Sequence, residues 1–309
     1  MNLLQLIRSF VRTVEAGSIA GAGRNLGISA AAVSQNIARL EAHLGIRLLN
    51  RTTRRLALTE RGQLYFDQVR AIDRQLEHAR QVASGDDAEP VGRLRVSSTA
   101  AFARHVLAPM LPALHACHPR LDIELLIGDG LADHALEGLD ASIRIDPQLE
   151  DGLVARCIAV VPFLLCASPD YLARNGQPRT FEALHEHAVL LFRYPVDGRY
   201  LRWAFLRDGG RVEPELHPAM VSNDIDAIAA MAAAGAGITR LAAFVAQPYL
   251  ERGQLVQLLL DDGTAQLEPM RLYLCVSDRR DLTPKLRAFL RHMQAHLPAT
   301  WRPGSEELG

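Results

Sequence analysis

Cysteine is scarce in this chain and lysine almost absent. The four cysteines, Cys117, Cys157, Cys166 and Cys275, lie far apart with no CxxC pair. That spacing fits reduced core residues of a cytosolic protein, with a redox-sensing pair as the other reading. The apolar runs 157–167 and 228–238 fall short of the roughly 20 residues a bilayer crossing needs. The opening stretch MNLLQLIRSF patterns as an amphipathic helix rather than a secretory leader. A cytoplasmic protein with no membrane partner is expected. Catalytic signatures are missing too. There is no GxSxG. The pair Gly235 and Gly237 is followed by Arg240 where a dinucleotide fingerprint wants glycine, and it lacks the preceding strand. His185-Glu186-His187 is too tight for HExxH, and His115 with His118 finds no third ligand. Neither an enzyme nor a metal or cofactor is expected.

What is present is ordinary globular composition, 49% apolar and 22% charged, at a length suited to a small domain plus a larger one. The net charge of −1 is unevenly spread. Residues 1–59 carry Arg8, Arg12, Arg24, Arg39, Arg47, Arg51, Arg54 and Arg55 against Glu15 and Glu41, a surplus of +6 that leaves −7 for the rest. A basic head on an acidic body is the asymmetry expected when one end meets phosphate. The single lysine is Lys285, so the head's cations are all arginine, a bias that a GC-rich genome also produces.

Helical periodicity dominates the first 83 residues. Leu3, Leu6, Ile7, Phe10 and Val14 form one apolar stripe, closed by Gly17. Ser18 starts a short helix with Ala22 and Leu26 inward, broken by Gly27. Ser29 caps a third, with Val33, Ile37, Leu40 and Leu44 inward, stopped by Gly45. Residues 47–59 read as a β-hairpin wing, and Thr59 caps a long helix over 60–83. Along that helix Tyr65, Val69, Ile72, Leu76, Ala79 and Ala83 form a heptad-like seam, for dimerisation or for packing on the chain's own head.

Two short helices joined by a tight turn let the second enter a major groove. Its outer face offers Ser29, Ala31, Ala32, Ser34, Gln35, Asn36 and Arg39. Gln and Asn bind adenine edges bidentately, and Ala touches a thymine methyl. Arg39 suits a phosphate. In the wing, Arg51, Thr52, Thr53, Arg54 and Arg55 suit backbone or minor-groove contact. A solvated polar face is the alternative; the wing and the +6 charge favour double-stranded DNA.

The stretch SIAGAGRNLGISAAAVSQNIARLEAHLGIRLLNRTTRRLALTERG, residues 18–62, resembles the DNA-binding end of LysR-type transcriptional regulators. The likeness runs through Ser18, Ala22, Leu26, Val33, Ser34, Ile37, Leu40, Glu41, Leu44, Gly45, Leu48, Arg51, Leu58, Thr59 and Gly62, and continues to about residue 297. Departures are Ala30-Ala31 where the family often has Gln-Pro, Leu49 where it has Phe, and Gly21 and Gly23 where it has alanines. The resemblance implies a linker helix and a two-lobed α/β effector domain like a periplasmic solute-binding protein. It also implies tetramers formed through those domains.

Beyond a small, acidic hinge at 84–92, strand-like runs 93–98, 121–127, 140–145 and 158–166 alternate with helical stretches 101–116 and 130–138, which patterns as a largely parallel α/β sheet. Strands near 188–193 and 216–221, a helix at about 224–234, a strand 270–276 and a helix 284–296 follow, with a frayed tail at 302–309. Ser98 and Thr99 sit where a strand enters a helix, a place for an anion or for plain capping. By the resemblance this point lines the cleft between lobes, as does Gly128-Asp129. Arg144 suits a carboxylate ligand, or an ion pair with Asp129 or Asp146. Arg193, in the wall-like run Phe192-Arg193-Tyr194-Pro195, and Asn223 complete the effector candidates.

The expected organisation is a winged helix-turn-helix over 1–59, a dimerisation helix over 60–83, a hinge over 84–92 and an effector domain over 93–301. Lobe I covers about 93–163 and 268–301, and lobe II about 164–267. The expected function is transcriptional regulation at an interrupted palindrome by a homodimer or homotetramer in contact with RNA polymerase. A small-molecule effector would modulate it, an acidic metabolite being the guess from Ser98, Thr99 and Arg144.

Overall fold

A computed structural model describes residues 2–50, 56–83, 89–130, 134, 138–149, 152–180, 182–195, 197–207, 210–260, 266–277 and 282–304. For 71, 73–75, 77–83 and 266 it describes the backbone alone. The chain forms two compact units, passing from the first to the second between Ala88 and Glu89.

The first unit opens with α1 (Leu3–Glu15), where Leu6, Ile7, Phe10 and Val11 are buried. Ser9 and Thr13 are buried on the same helix and are satisfied by bonding back one turn, Ser9 Oγ to the Gln5 carbonyl (2.9 Å) and Thr13 Oγ1 to that of Ser9 (2.7 Å). Helix α2 (Ile19–Leu26) is capped by Ser18, and α3 (Ala30–Leu44) by Ser29, each accepting an amide three residues on. Gly27 and Gly45 end these helices in the left-handed region. Gly23 now has a reason: a Cβ there would stand 2.8 Å from the Ile28 carbonyl oxygen, so the α2–α3 turn folds tightly only over glycine.

Strands β1 (Leu49–Asn50) and β2 (Ala57–Leu58) pair antiparallel as a wing, Leu49 facing Leu58. The wing residues between them, Arg51 to Arg55, lie outside the described residues. Glu41 anchors the hairpin to α3, its Oε1 accepting the amides of Leu48 (2.7 Å) and Leu49 (3.1 Å). Thr59 Oγ1 accepts the Gly62 amide (2.9 Å) and caps α4 (Glu60–Ala83). Gly62 is required, because a Cβ there would lie 2.8 Å from the Leu48 carbonyl carbon.

The expected α4 seam divides. Phe66 and Val69 are buried with α1, and the Tyr65 and Phe66 rings stand 6.0 and 6.2 Å from Phe10. Ile72 and Leu76 remain 46% and 37% exposed. The first turns of the seam therefore pack on the chain's own head, since Phe10 offers apolar surface there. Ile72 and Leu76 keep an unpaired stripe. The side chains of Ala79 and Ala83 lie outside the described residues.

The second unit begins with β3 (Gly92–Ser98), α5 (Ala100–Phe102), a π-helical turn (Ala103–Leu107) and α6 (Ala108–Cys117). The wide turn accommodates Pro109, which has no N–H for the ordinary helical bond. Next come β4 (Leu121–Ile127), β5 (Ala141–Ile145), a 3₁₀ turn (Asp146–Gln148) and β6 (Val154–Val161). Strand β7 (Phe163–Ala167), α7 (Pro169–Asn175) and β8 (Val189–Phe192) follow. After them come β9 (Phe205–Arg207), β10 (Gly210–Val212) and β11 (Pro218–Ser222). Helix α8 (Ile225–Ala233), β12 (Ile238–Ala242), α9 (Ala243–Glu251) and β13 (Val256–Leu258) continue the chain. It closes with β14 (Gln266–Leu267), β15 (Met270–Val276) and α10 (Pro284–His296).

Two five-stranded sheets result, in the orders β4-β3-β5-β15-β6 and β11-β8-β12-β7-β13. In each, two of the four pairings are parallel and two antiparallel, because one strand, β15 or β7, runs against the other four. The expected largely parallel sheet is thus two sheets, each with one opposed strand. Strands linked by helical crossovers run parallel, whereas β7 and β15 are entered from another sheet, need no such crossover and run against their neighbours. The expected single strand 158–166 is likewise two strands, β6 in one sheet and β7 in the other, parted at Pro162. A small sheet β10-β9-β14 and the elements β12, β13, α7 and α9 were not read from the sequence. Of the expected helix 130–138, residues 131–133 and 135–137 lie outside the described residues. One core joins side chains of both large sheets, and a second fills the far face of the second sheet around Trp203 and Phe205.

Candidate nucleic-acid interface and ligand cleft

The outward face of α3 carries Ser29, Ala31, Ser34, Gln35 and Arg39, all exposed, with Ala32 and Asn36 half-buried. Capping already uses the Ser29 hydroxyl, which accepts the Ala32 amide at 3.1 Å. Asn36 donates Nδ2 to the Ser9 hydroxyl at 2.9 Å and so ties α3 to α1. Gln35 and Ser34 are the exposed hydrogen-bonding side chains of this face, and Arg39 is its cation. Because α3 is buried along Val33, Ile37 and Leu40, these residues must point the other way.

The second unit holds a cavity of about 470 Å³ between its two sheets. It gathers where the parallel strands end, the usual ligand position in such sheets. Thr99 comes from the end of β3, Asp129 from beyond β4, and Ile145 to Gln148 from the end of β5. The other sheet supplies Phe192 and Tyr194 after β8, Ile225 at the start of α8, and Arg240 and Ala242 on β12. Phe163 and Met270 stand where the chain crosses between sheets, and Phe244 comes from the start of α9.

Of the seven effector candidates, Thr99 and Asp129 line this cavity and the other five do not. Thr99 precedes α5 but makes no side-chain cap; instead Asp129 Oδ1 accepts the Ala100 amide at 3.0 Å. Capping thus comes from the neighbouring strand, and the Thr99 side chain faces the cavity. Ser98 is fully buried, its carbonyl accepting the Gly128 amide at 3.0 Å. Arg144 is buried behind the wall, donating Nη2 to Ser97 Oγ (2.8 Å) and Nη1 to the Ile143 carbonyl (3.0 Å). Arg193 is exposed and closes its own loop, donating Nε to the Gly198 carbonyl (2.9 Å). Asn223 is exposed, and its neighbour Asp224 caps α8.

Arg240 was not among the expected site residues, yet it lines the cavity. It is 4% exposed, and its guanidinium lies 4.1 Å over the Phe163 ring. Desolvation lowers its pKa to about 10, so it stays charged at neutral pH. The hydroxyl of Tyr194 is also buried, and burial raises its pKa to about 12. The legible signal was one arginine inside the apolar strand ITRLA. At the mouth, Arg211 pairs with Glu213 and Glu268, and Arg202 with Glu213. The two sheets are also joined by Asp226 of α8, which pairs with Arg104 and lies 2.6 Å from His105 Nε2 on the π-helical turn. Two of the four histidines considered as metal ligands have structural partners: His115 the Leu121 carbonyl, and His187 the Tyr171 hydroxyl. Among the described residues no three His, Cys, Asp or Glu side chains are placed to hold a metal ion. Nor is any described helix long and apolar enough to cross a membrane.

Compared with known proteins, residues 4–63 match the family described as bacterial regulatory helix-turn-helix protein, lysR family, and residues 87–298 match the LysR substrate binding domain. The chain is 33% identical over 259 residues to an HTH-type transcriptional repressor of Pseudomonas aeruginosa, covering 84% of this chain and 82% of that protein. It is 31% identical over 281 residues to the HTH-type transcriptional regulator CrgA of Neisseria meningitidis, covering 91% and 92%. The solved structure of CrgA, a LysR-type transcriptional regulator, is similar with a TM-score of 0.57 at 28% identity, over 94% of this chain and 97% of that one. The full-length Vibrio cholerae virulence activator AphB matches at 0.57 and 28%, over 95% and 99%.

Proposed function

From the premise that this chain belongs to the LysR family of transcriptional regulators, binding DNA through its helix-turn-helix under the control of a small molecule taken up by its substrate-binding domain, we propose which residues do each part. Helix α3 enters the major groove. Gln35 reads an adenine edge, Ala31 and Ala32 meet thymine methyls, and Ser29, Ser34 and Arg39 hold the backbone. Asn36 contributes through its remaining carbonyl oxygen. Arg51, Thr52, Thr53, Arg54 and Arg55 grip phosphate or the minor groove. The head spans 1–59, the linker helix 60–83, the hinge 84–92 and the effector domain 93–301.

Two heads pair through α4 from Ile72 onward and read an interrupted palindrome, because a two-fold protein imposes two-fold symmetry on its site. Pairs of dimers assemble through the effector domains into a tetramer in the cytoplasm, where RNA polymerase is met. The effector occupies the cleft and favours one arrangement of the lobes; it shifts DNA affinity only by its differential affinity for the two. The observation carrying this reading is the apolar-walled cavity at the strand ends, within the size range of small-ligand sites.

A metabolite screen on the full chain tests it. A compound that raises Tm and changes operator affinity severalfold supports the reading. Intact DNA binding that no stabilising compound alters would instead mark a DNA-binding protein with a ligand-indifferent body.

A further inference from the structure

We propose that the effector is a carboxylate carried on an apolar body, and that Arg240 and Tyr194 receive its charge. This rests on the proposed effector role of the cleft and names the chemistry the cleft selects.

Arg240 is the starting point. Its neighbours on β12, Thr239 and Leu241, are both buried, and the strand pairs on both edges, with β7 and with β8. Among the described residues no carboxylate lies within hydrogen-bond reach of its guanidinium, and the fully buried Nε has no acceptor. It lies over the face of Phe163, and Glu268 and Glu213 act on it only at longer range. A buried cation left in this state is costly, and the cost is offset when an anion arrives. The exposed arginines of the cavity wall differ: Glu213 and Glu268 answer Arg211, and Glu213 answers Arg202.

Tyr194 supplies the second half. Among the described residues its buried hydroxyl has no hydrogen-bond partner, and of the charges around it Arg240 acts most strongly. Because it stays protonated at neutral pH, it offers a donor beside a cation, the pair a carboxylate accepts from. The wall beside this pair is mostly apolar, and the other arginines that line the cavity, Arg202, Arg211 and Arg271, are less buried than Arg240. Ile145, Phe163, Phe192, Ala242, Phe244 and Val245 are apolar, and Asp129 and Asp146 repel further anions. A carboxylate at Arg240 and Tyr194 therefore leaves the rest of the ligand against apolar side chains.

The probes are 3-phenylpropionate and 4-methylpentanoate, each set against its neutral amide, with binding to the full chain followed by calorimetry and thermal shift. The acids are expected to bind at least about tenfold tighter than the amides, the scale of one charge-assisted contact. In Arg240→Met the acid and the amide bind alike, and the unliganded Tm does not fall, because an unpaired buried charge has been replaced by an apolar chain. Tyr194→Phe weakens the acid severalfold and leaves the amide unchanged, and it serves if Arg240→Met does not fold. Equal binding of acid and amide by the native chain, or undiminished acid binding by Arg240→Met, overturns the anion assignment while the cleft still holds a ligand. Binding of none of the four overturns the ligand class, and the metabolite screen then judges the effector role separately.

Discussion

Asn36 donates its Nδ2 to the Ser9 hydroxyl at 2.9 Å, across the joint between α3 and α1. Ser9 is fully buried and itself donates to the Gln5 carbonyl, so the contact belongs to the folding of the head. Gln35, one position earlier, is exposed. Gln35→Ala should leave stability within about 0.5 kcal/mol and relax base preference at one position of each half-site. Asn36→Ala should cost about 1 kcal/mol of stability. Competition binding on half-site variants separates the two, and a uniform loss across sequences for Gln35→Ala would sink its base-reading role.

Gly62 sits against the Leu48 carbonyl. An alanine in a helix normally adds about 1 kcal/mol over glycine. Here the added Cβ collides with backbone, so Gly62→Ala should instead destabilise the chain by about 1–3 kcal/mol. Urea titration gives the sign directly, and a stabilised variant would show that the wing does not press on α4.

Ile72 and Leu76 keep an apolar stripe on α4 that the head does not cover. The double change Ile72→Glu with Leu76→Glu should lower the oligomeric state in sedimentation velocity without lowering the Tm of the head. Unchanged sedimentation would remove this stripe from the dimer contact.

Burial, and after it the charge of Arg104, holds the His105 pKa below the usual 6.5. Asp226 pulls the other way, but Arg104 already shares its charge. At this site the folded chain binds fewer protons than the unfolded chain as pH falls below 6.5. Its contribution is therefore intact above 6.5 and is lost toward the lower folded value. Unfolding free energy of the native chain should drop relative to His105→Gln between about pH 7 and about pH 5.5. Parallel pH profiles would refute it.

Cys157, Cys166 and Cys275 are buried free thiols, Cys117 is exposed, and burial raises the Cys166 pKa to about 12. Since the thiolate is the reactive form, iodoacetamide should label Cys117 first, with the other three labelled only on unfolding. Rapid labelling of Cys166 in the native chain would contradict its burial.

The head was legible because its signals are local. Ser18, Ser29 and Thr59 cap the helices they precede in the sequence, and Gly27 and Gly45 end two of them. Periodicity marked Val33, Ile37 and Leu40 as buried, and so left Gln35 and Arg39 outward. The cleft was only half legible. A strand-to-helix junction can be read from residues 97–100, but whether its hydroxyls cap or face a cavity depends on Asp129, from another strand. Arg144 and Arg240 look alike on paper, each a lone arginine in an apolar strand. Packing turned Arg144 to Ser97 and Arg240 to the cavity.

The helix-turn-helix, its caps and the charge asymmetry of the chain were thus determined by sequence alone, because each depends on residues within a turn or two of one another. Tertiary structure decided which arginine lines the cavity, why Gly62 cannot carry a Cβ, and how much of the α4 stripe stays exposed. Each of those depends on which distant segment packs against it, and no local pattern encodes that.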